Sequence, residues 1–204
     1  MITIIDYGMG NLGSIANMIK KIGYQTEITR DTEKIKEAKK IILPGVGSFD
    51  QAIFNLKELE LFDLIKYKAD TEKIPTLGIC LGMQLLTKSS EEGESSGLNL
   101  INAEVKRFKF QDVSKFKIPH MGWNFVDQKK EYSLFKDMYE DPRFYFVHSY
   151  HVVCNYADDI LTTTEYGYPF ISAFARDNIM GVQFHPEKSH KFGMKLLKNF
   201  IENF

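Results

Sequence analysis

The strongest candidate for chemistry in this sequence is Cys80, which lies in the segment "PTLGICLGMQLL" with a glycine two residues away on either side. A nucleophile on a sharp turn between a strand and a helix is held in a strained backbone conformation, and neighbours without a Cβ relieve the crowding. "GICLG" has the spacing of such a turn. A helix predicted to begin near Leu81 would present N–H groups and a positive dipole end, which favour a thiolate.

A thiol nucleophile needs a base, and the base needs a group that orients it. Of the five histidines, only His185 has a carboxylate at a spacing that fixes geometry, in "GVQFHPEKS". Residues i and i+2 of an extended segment project to the same side, so we expect Glu187 to reach the imidazole of His185. An isolated H-P-E is equally compatible with a surface turn. We predict Cys80, His185 and Glu187 as the catalytic residues.

The alternative for each of the two cysteines is a buried thiol that packs as a small hydrophobic side chain. We assign that role to Cys154, because "HVVCNY" alternates like a strand and carries no flanking glycine. The two glycines beside Cys80 favour the strand-to-helix turn instead.

An oxyanion next to the nucleophile requires backbone N–H donors. Leu81, the residue after Cys80, supplies one. We predict the second from Gly45 and Val46 in "PGVG", at the end of the predicted strand "KIILP". Both loops open on one crevice if that strand neighbours the strand that carries Cys80. By itself, "PGVG" is equally compatible with a plain turn.

The elements that must position these residues alternate in the first half of the chain. Strands are predicted in "MITIID", "YQTEIT", "KIILP" and Pro75 to Cys80, with helical patterns between them, one of which runs from "GVGSFD" to about Asp70. Strand–helix alternation of this kind indicates an open, doubly wound sheet. Short β-rich stretches dominate the second half before an amphipathic helix, "KFGMKLLKNFIENF". We predict an α/β fold with an open, mostly parallel (mixed) sheet flanked by helices and an additional antiparallel portion in the second half.

The composition favours a cytoplasmic protein that binds neither nucleic acid nor membranes. The 204 residues carry 26 Lys and Arg against 27 Asp and Glu, with no polybasic stretch. No apolar run has the length of a membrane span, and the first residues do not have the pattern of a signal peptide. With only two cysteines and no secretory signal, we predict no disulfide.

Together the motifs resemble one family over essentially the whole chain. "GICLGMQ", "PGVGSF", "YFVHSY" and "FHPEKS" are similar to the triad-type (class I) glutamine amidotransferases. "DYGMGN" and "PHMGWN" resemble, more narrowly, the glutaminase subunits of imidazole glycerol phosphate synthases. The resemblance implies a single glutamine amidotransferase domain over residues 1–204.

The resemblance also implies a reaction. Cys80 would attack the side-chain amide of L-glutamine and form a thioester, while His185, held by Glu187, moves the protons. Leu81, Gly45 and Val46 would form the oxyanion hole. Gln84, Ser149 and Tyr150 lie where relatives bind glutamine. No metal and no organic cofactor is implied.

Relatives pass the ammonia to a (β/α)8 cyclase subunit, which makes imidazole glycerol phosphate and an aminoimidazole carboxamide ribotide in histidine biosynthesis. The resemblance therefore implies a heterodimer. We expect its docking face to include Asn11, Met121, Trp123 and Lys188. Trp123 is the only tryptophan, and aromatic side chains are enriched in interfaces.

One departure from the family keeps alternatives open. Asn102 and Ala103, in "SGLNLINAEV", stand where relatives commonly have a Pro-Gly turn. Paralogues in this subfamily supply ammonia to synthases that amidinate cell-surface sugars, which is the first alternative. A cysteine hydrolase that acts on other amides is the second, although it leaves "PHMGWN" and Gln84 without a role. A non-enzymatic binding module is the least favoured, because all three triad members are present.

Overall fold

The parallel part of the central sheet is built by the first half of the chain. The computed structural model describes residues 1–112 and 114–204. The strands of this half are β1 (Ile2–Ile5), β2 (Thr26–Thr29), β3 (Ile41–Gly45) and β4 (Thr76–Cys80). Every residue of β3 and β4 is buried, as expected for parallel strands covered by helices on both faces. The predicted strands are confirmed.

The helices cover this sheet with amphipathic faces. They are α1 (Leu12–Lys21), α2 (Thr32–Lys36), α3 (Phe49–Glu58), α4 (Leu61–Asp70), α5 (Leu81–Leu85) and α6 (His190–Asn203). The single helical stretch predicted after "GVGSFD" is in fact two helices. Glu60 adopts a left-handed conformation with φ of 57°, which no α-helix can contain, so the chain changes direction between α3 and α4.

The second half extends the sheet with antiparallel strands, which confirms the predicted mixed architecture. The strands of this half, most of them in antiparallel pairs, are β5 (Ser89–Ser90), β6 (Ala103–Arg107), β7 (His120–Phe125), β8 (Asp127–Gln128), β9 (Arg143–His148), β10 (Tyr150–Cys154), β11 (Ile160–Glu165), β12 (Pro169–Arg176) and β13 (Ile179–Val182). The main sheet follows the order β2-β1-β3-β4-β13-β12-β10-β6-β5, with β8 and β11 to one side. β7 and β9 form a separate antiparallel pair.

The order of the strands brings three distant segments to one edge of the sheet. β4 lies between β3 and β13 and is parallel to both. Gly45 is in register with Cys80, and Val182 is in register with Ile79. In such sheets ligands bind beyond the carboxyl ends of the strands, where a switch in topology opens a crevice. The chain that follows β13 therefore runs directly beside the chain that follows β4.

The departure noted at Asn102 and Ala103 is accommodated without a Pro-Gly turn. The Nδ2 group of Asn155 donates to Oδ1 of Asn102 at 2.6 Å, and the Asn155 backbone N–H donates to the Asn102 carbonyl at 2.9 Å. Ala103 begins β6 and is buried. In the described part of the chain, no helix is both long and apolar enough to cross a bilayer.

Candidate active site

Cys80 occupies a strained turn between β4 and α5. Its φ of 55° and ψ of −109° lie outside the conformations that non-glycine residues readily adopt. The residue is 7% exposed and is the last residue of β4, so its thiol lies at the carboxyl edge of the sheet. The strained backbone costs about 1–3 kcal/mol and persists because the packing around Cys80 holds it in place.

The two glycines beside Cys80 allow α5 to approach the sheet closely. A Cβ on Gly82 would overlap the carbonyl oxygen of Leu43 in β3. A Cβ on Gly78 would lie 2.6 Å from the carbonyl oxygen of Gly82. Neither position has room for a side chain, because backbone meets backbone at both. The glycines of "GICLG" are therefore required by the close packing of β3, β4 and α5 around the thiol.

His185 and Glu187 form a buried pair on the segment after β13. Nδ1 of His185 lies 2.8 Å from Oε1 of Glu187, and the two side chains are 2% and 1% exposed. The predicted contact exists, but the local backbone differs from the extended segment on which it was based. Pro186–Lys188 forms a 3-10 turn, so Glu187 folds back towards His185 instead of reaching it by strand alternation.

The environment of His185 favours its protonated form. Burial alone would lower its pKa, but the Cys80 sulfur and the Glu187 carboxylate reverse the effect and raise the pKa to about 10. Among the described residues, Nε2 of His185 has no hydrogen-bond partner of normal geometry. The sulfur of Cys80 is nevertheless close enough to contribute to the raised pKa of the ring. The thiol, the imidazole and the carboxylate thus meet in one buried place.

The predicted oxyanion loop adjoins the thiol. Gly45 pairs with Cys80, and a Cβ on Gly45 would lie 2.9 Å from Cβ of Leu81. The hydroxyl of Tyr7 donates to the carbonyl of Pro44 at 2.6 Å and so fixes one side of the Pro44–Gly45 peptide. Burial, together with the charge of Cys80, raises the pKa of Tyr7. Val46, the next residue, is 43% exposed.

Two of the residues expected to bind glutamine, Gln84 and Tyr150, are joined by a hydrogen bond. Nε2 of Gln84 donates to the carbonyl of Tyr150 at 3.3 Å and to Oε1 of Gln183 at 3.0 Å. Nε2 of Gln183 lies 3.7 Å from the sulfur of Cys80. Ser149, half-buried, accepts from the Phe108 N–H through its carbonyl at 3.1 Å. Sequence reasoning missed Gln183, although it stands two residues before His185 in the quoted motif.

The match to a known family covers this whole arrangement. A family model described as glutamine amidotransferase class-I matches residues 3–204. The chain belongs to the class I glutamine amidotransferases.

Relatives of this amidotransferase cover the chain almost end to end. It is 60% identical over 202 residues to imidazole glycerol phosphate synthase subunit HisH 2 of Methanococcus maripaludis, covering 99% of each chain. It is 53% identical to subunit HisH of Sulfurimonas denitrificans, covering 99% of this chain and 98% of the relative.

Solved structures agree in fold. PurLQS from Thermotoga maritima gives a TM-score of 0.74 at 17% identity and covers 99% of this chain and 97% of that one. A glutamine amidotransferase crystal structure gives 0.73 at 17% identity, with coverage of 99% and 98%. These likenesses establish the fold of the amidotransferase.

Two other histidines of the amidotransferase, His120 and His148, form a neutral network beside the predicted glutamine site. Nδ1 of His120 lies 3.0 Å from Nε2 of His148, and Nδ1 of His148 lies 2.7 Å from the Tyr150 carbonyl. Burial lowers the pKa of His148 to about 3 and that of His120 to about 4. Because a carbonyl can only accept, His148 donates through Nδ1 and accepts from His120 through Nε2.

Cys154 behaves as the packed thiol that was predicted. It is partly buried and free of any disulfide. Burial and the nearby charge of Asp159 raise its pKa to about 12, so its thiol stays protonated and unreactive. Within the described residues, no group of three or more His, Cys, Asp or Glu side chains is placed to hold a metal ion.

The outer face of β7 is a row of exposed apolar side chains. Met121, Trp123 and Phe125 are 60%, 45% and 55% exposed, whereas His120 and Asn124 point to the opposite side of the strand. Phe125 was not predicted as part of this face. The strict alternation of "HMGWNF" is the signal that identifies it.

Lys188, another predicted interface residue, adjoins this row through Tyr145. The Lys188 ammonium lies 5.6 Å from the centre of the Tyr145 ring, and Tyr145 pairs with Trp123 across β7 and β9. Lys188 also lines a cleft of about 390 Å³ together with Ser14 of α1. Asn11, the residue before α1, is exposed one turn ahead of Ser14.

Proposed function

We propose that this chain is a glutaminase subunit, one amidotransferase domain over residues 1–204, that hydrolyses L-glutamine to L-glutamate and ammonia. One observation carries the proposal: Cys80, on a strained turn at the sheet edge, is near enough to act on the imidazole of His185, which is hydrogen-bonded to Glu187. A thiol with an oriented imidazole is the arrangement that acyl transfer by a cysteine nucleophile requires.

In the first half of the reaction, the sulfur of Cys80 attacks the side-chain amide carbon of glutamine. The carbonyl becomes a tetrahedral oxyanion, and the N–H groups of Leu81 and of the Gly45–Val46 peptide stabilise it. The protonated imidazole of His185 gives its Nε2 proton to the amide nitrogen. The carbon–nitrogen bond breaks, ammonia leaves, and a thioester to Cys80 remains.

In the second half, neutral His185 takes a proton from water while the water oxygen attacks the thioester. The second oxyanion uses the same donors. When it collapses, the carbon–sulfur bond breaks, the product leaves as a carboxylic acid that ionises to glutamate in water, and Cys80 returns as a thiolate beside an imidazolium. Glu187 keeps one proton on Nδ1 throughout, so that Nε2 remains the nitrogen that exchanges protons.

Gln84, Ser149 and Tyr150 form the glutamine site in this proposal. Gln84 is 5% exposed and is tied to the Tyr150 carbonyl, so its amide is fixed before substrate arrives. A fixed polar group discriminates strongly in favour of a ligand that satisfies it, because a ligand without the matching group leaves it unpaired.

The ammonia goes to a partner, in our proposal a (β/α)8 cyclase that completes a cytoplasmic heterodimer in histidine biosynthesis. Support comes from the relatives, which are named as subunits of imidazole glycerol phosphate synthase. The docking face comprises Asn11, Met121, Trp123 and Lys188. Lys188 lies next to Glu187 of the proposed triad, since both residues line the same cleft.

The test is glutamine hydrolysis by the purified chain with and without the cyclase. Cys80→Ala and Cys80→Ser should abolish hydrolysis, while each variant still binds the cyclase and supports synthesis from added ammonium. Normal glutaminase activity in Cys80→Ala would refute the assignment of the nucleophile. Absence of binding to the cyclase, with hydrolysis intact, would refute only the partner and would favour a synthase of another kind.

A further inference from the structure

Gln183 is a buried polar side chain placed directly against the predicted nucleophile. It is 0% exposed, and it follows β13 two residues before His185. Its amide makes two side-chain contacts: Oε1 accepts from Gln84 at 3.0 Å, and Nε2 lies 3.7 Å from the sulfur of Cys80. A buried primary amide with no role in the core is costly unless its polar atoms are paired.

The direction of the Gln183 amide is fixed by its neighbours. A backbone carbonyl can only accept, so the Gln84 atom that faces the Tyr150 carbonyl is Nε2. The same Nε2 group then presents its second hydrogen to Gln183, whose facing atom must be Oε1. This leaves Nε2 of Gln183 as the atom turned towards Cys80. Reversal of either amide would place two acceptors or two donors against each other.

The Tyr150 carbonyl is itself held in place. Nδ1 of His148 donates to it at 2.7 Å from a buried ring that burial keeps neutral. The carbonyl thus receives two donors, one from His148 and one from Gln84. The orientation of Gln183 is therefore set by a chain of donors and acceptors that begins outside the triad.

We propose that Gln183 is a further catalytic residue, whose amide N–H donates to the sulfur of Cys80 and stabilises and orients the thiolate. The inference rests on the proposed function, because it takes Cys80 as the nucleophile. His185 approaches the sulfur as a proton carrier, whereas Gln183 is a donor that cannot give up its proton. The thiolate therefore has a donor that stays protonated while the sulfur attacks the amide carbon, and has it again when the carbon–sulfur bond of the thioester breaks.

The contact can be tested through the pH dependence of Cys80 alkylation by iodoacetamide in the full chain, with the modified cysteine identified by mass spectrometry. Gln183→Glu keeps the shape and the bond from Gln84 but replaces the donor with an acceptor. Gln183→Leu removes both the donor to Cys80 and the acceptor for Gln84. Hydrogen bonds to charged groups are strong enough that we expect either change to move the alkylation midpoint upward by about one to two pH units. We expect kcat for glutamine to fall about 10- to 100-fold, with a smaller change in KM for Gln183→Glu.

The matched control is Thr162→Val, which removes a buried hydrogen bond to Ser172, the residue whose carbonyl accepts from the Gln183 backbone N–H. Its alkylation midpoint should equal that of the wild type. A purely structural role for Gln183 predicts that the isosteric Glu variant is milder than Leu, whereas thiolate stabilisation predicts that Glu is at least as severe.

An unchanged midpoint in folded Gln183→Glu would overturn the inference. Should Gln183→Leu fail to fold, the Glu variant decides alone. Failure of the wild-type chain to hydrolyse glutamine would instead remove the proposed function. The alkylation result would still report whether Gln183 acts on Cys80.

Discussion

Replacing Glu187 by glutamine and by alanine separates the charge of its carboxylate from its contact with His185. The 2.8 Å bond to Nδ1 joins two side chains that are almost fully buried, so solvent screens it little. Glutamine retains an acceptor at the same place but loses the charge. Charged hydrogen bonds contribute about 1.5–3 kcal/mol and neutral ones about 0.5–1.5 kcal/mol. We therefore expect Glu187→Gln to lose about 1–1.5 kcal/mol of transition-state stabilisation, which lowers kcat roughly tenfold.

Alanine should cost more, because it also leaves the Nδ1–H group of His185 buried without a partner. An orphaned donor adds about 1–3 kcal/mol. We therefore expect a total of about 3–4 kcal/mol and a fall in kcat of about 100- to 1000-fold. KM for glutamine should change little in both variants, since Glu187 acts through His185 and does not contact the substrate in our proposal.

The assay is the glutaminase rate of the chain in complex with its cyclase, with ammonium-dependent synthesis as the measure of intact folding and assembly. Glu58→Gln is a matched control, because Glu58 is exposed at the end of α3. Equal losses for glutamine and alanine would show that the charge alone matters and would contradict the worked magnitudes. No loss in Glu187→Ala would remove Glu187 from the triad.

Three further predictions follow from the described contacts. Tyr7→Phe removes the donor to the Pro44 carbonyl, and we expect kcat to fall about tenfold. Cyclase binding, measured by calorimetry, should stay unchanged. An unaltered kcat would contradict a role for Tyr7 at the oxyanion loop. Trp123→Ala should weaken cyclase binding by at least 10-fold without lowering the melting temperature, and unchanged affinity would exclude Trp123 from the docking face. The pKa values of His148 and His120 are about 3 and about 4 in the folded chain and near 6.5 when unfolded, so at these two rings the unfolded state binds more protons between pH 7 and pH 5. The raised pKa of His185 acts in the opposite direction with a smaller effect over this range, so urea unfolding should show lower stability at pH 5 than at pH 7. Equal stability at the two pH values would contradict two neutral buried rings.

The turn at Cys80 and the contact between His185 and Glu187 could be predicted from sequence because their signals are local. The glycines beside Cys80 and the carboxylate two residues after His185 lie within a few positions of the residues they serve. Strand and helix patterns in the first half are equally local, since each depends on periodicity within one element. The edge where they meet then follows from the topology of a parallel sheet.

Contacts between distant segments could not be predicted in this way. Gln183 meets Cys80 across 103 positions of sequence, and Tyr7 meets Pro44 across 37. Neither residue has a local pattern that distinguishes it from an ordinary strand residue. The break at Glu60 was missed for another reason: a single left-handed residue leaves the apolar spacing of the flanking helices almost undisturbed.

β7 places two kinds of surface on a single short strand. Because neighbouring residues of a strand face opposite ways, a one-residue deletion that shifts the register of β7 would turn His120 and Asn124 outward and bury Trp123. Point substitutions at Met121, Trp123 or Phe125 do not change which residues of β7 face outward. Affinity for a partner can therefore be changed along one side of this strand while the imidazole network on its other side keeps its tautomers.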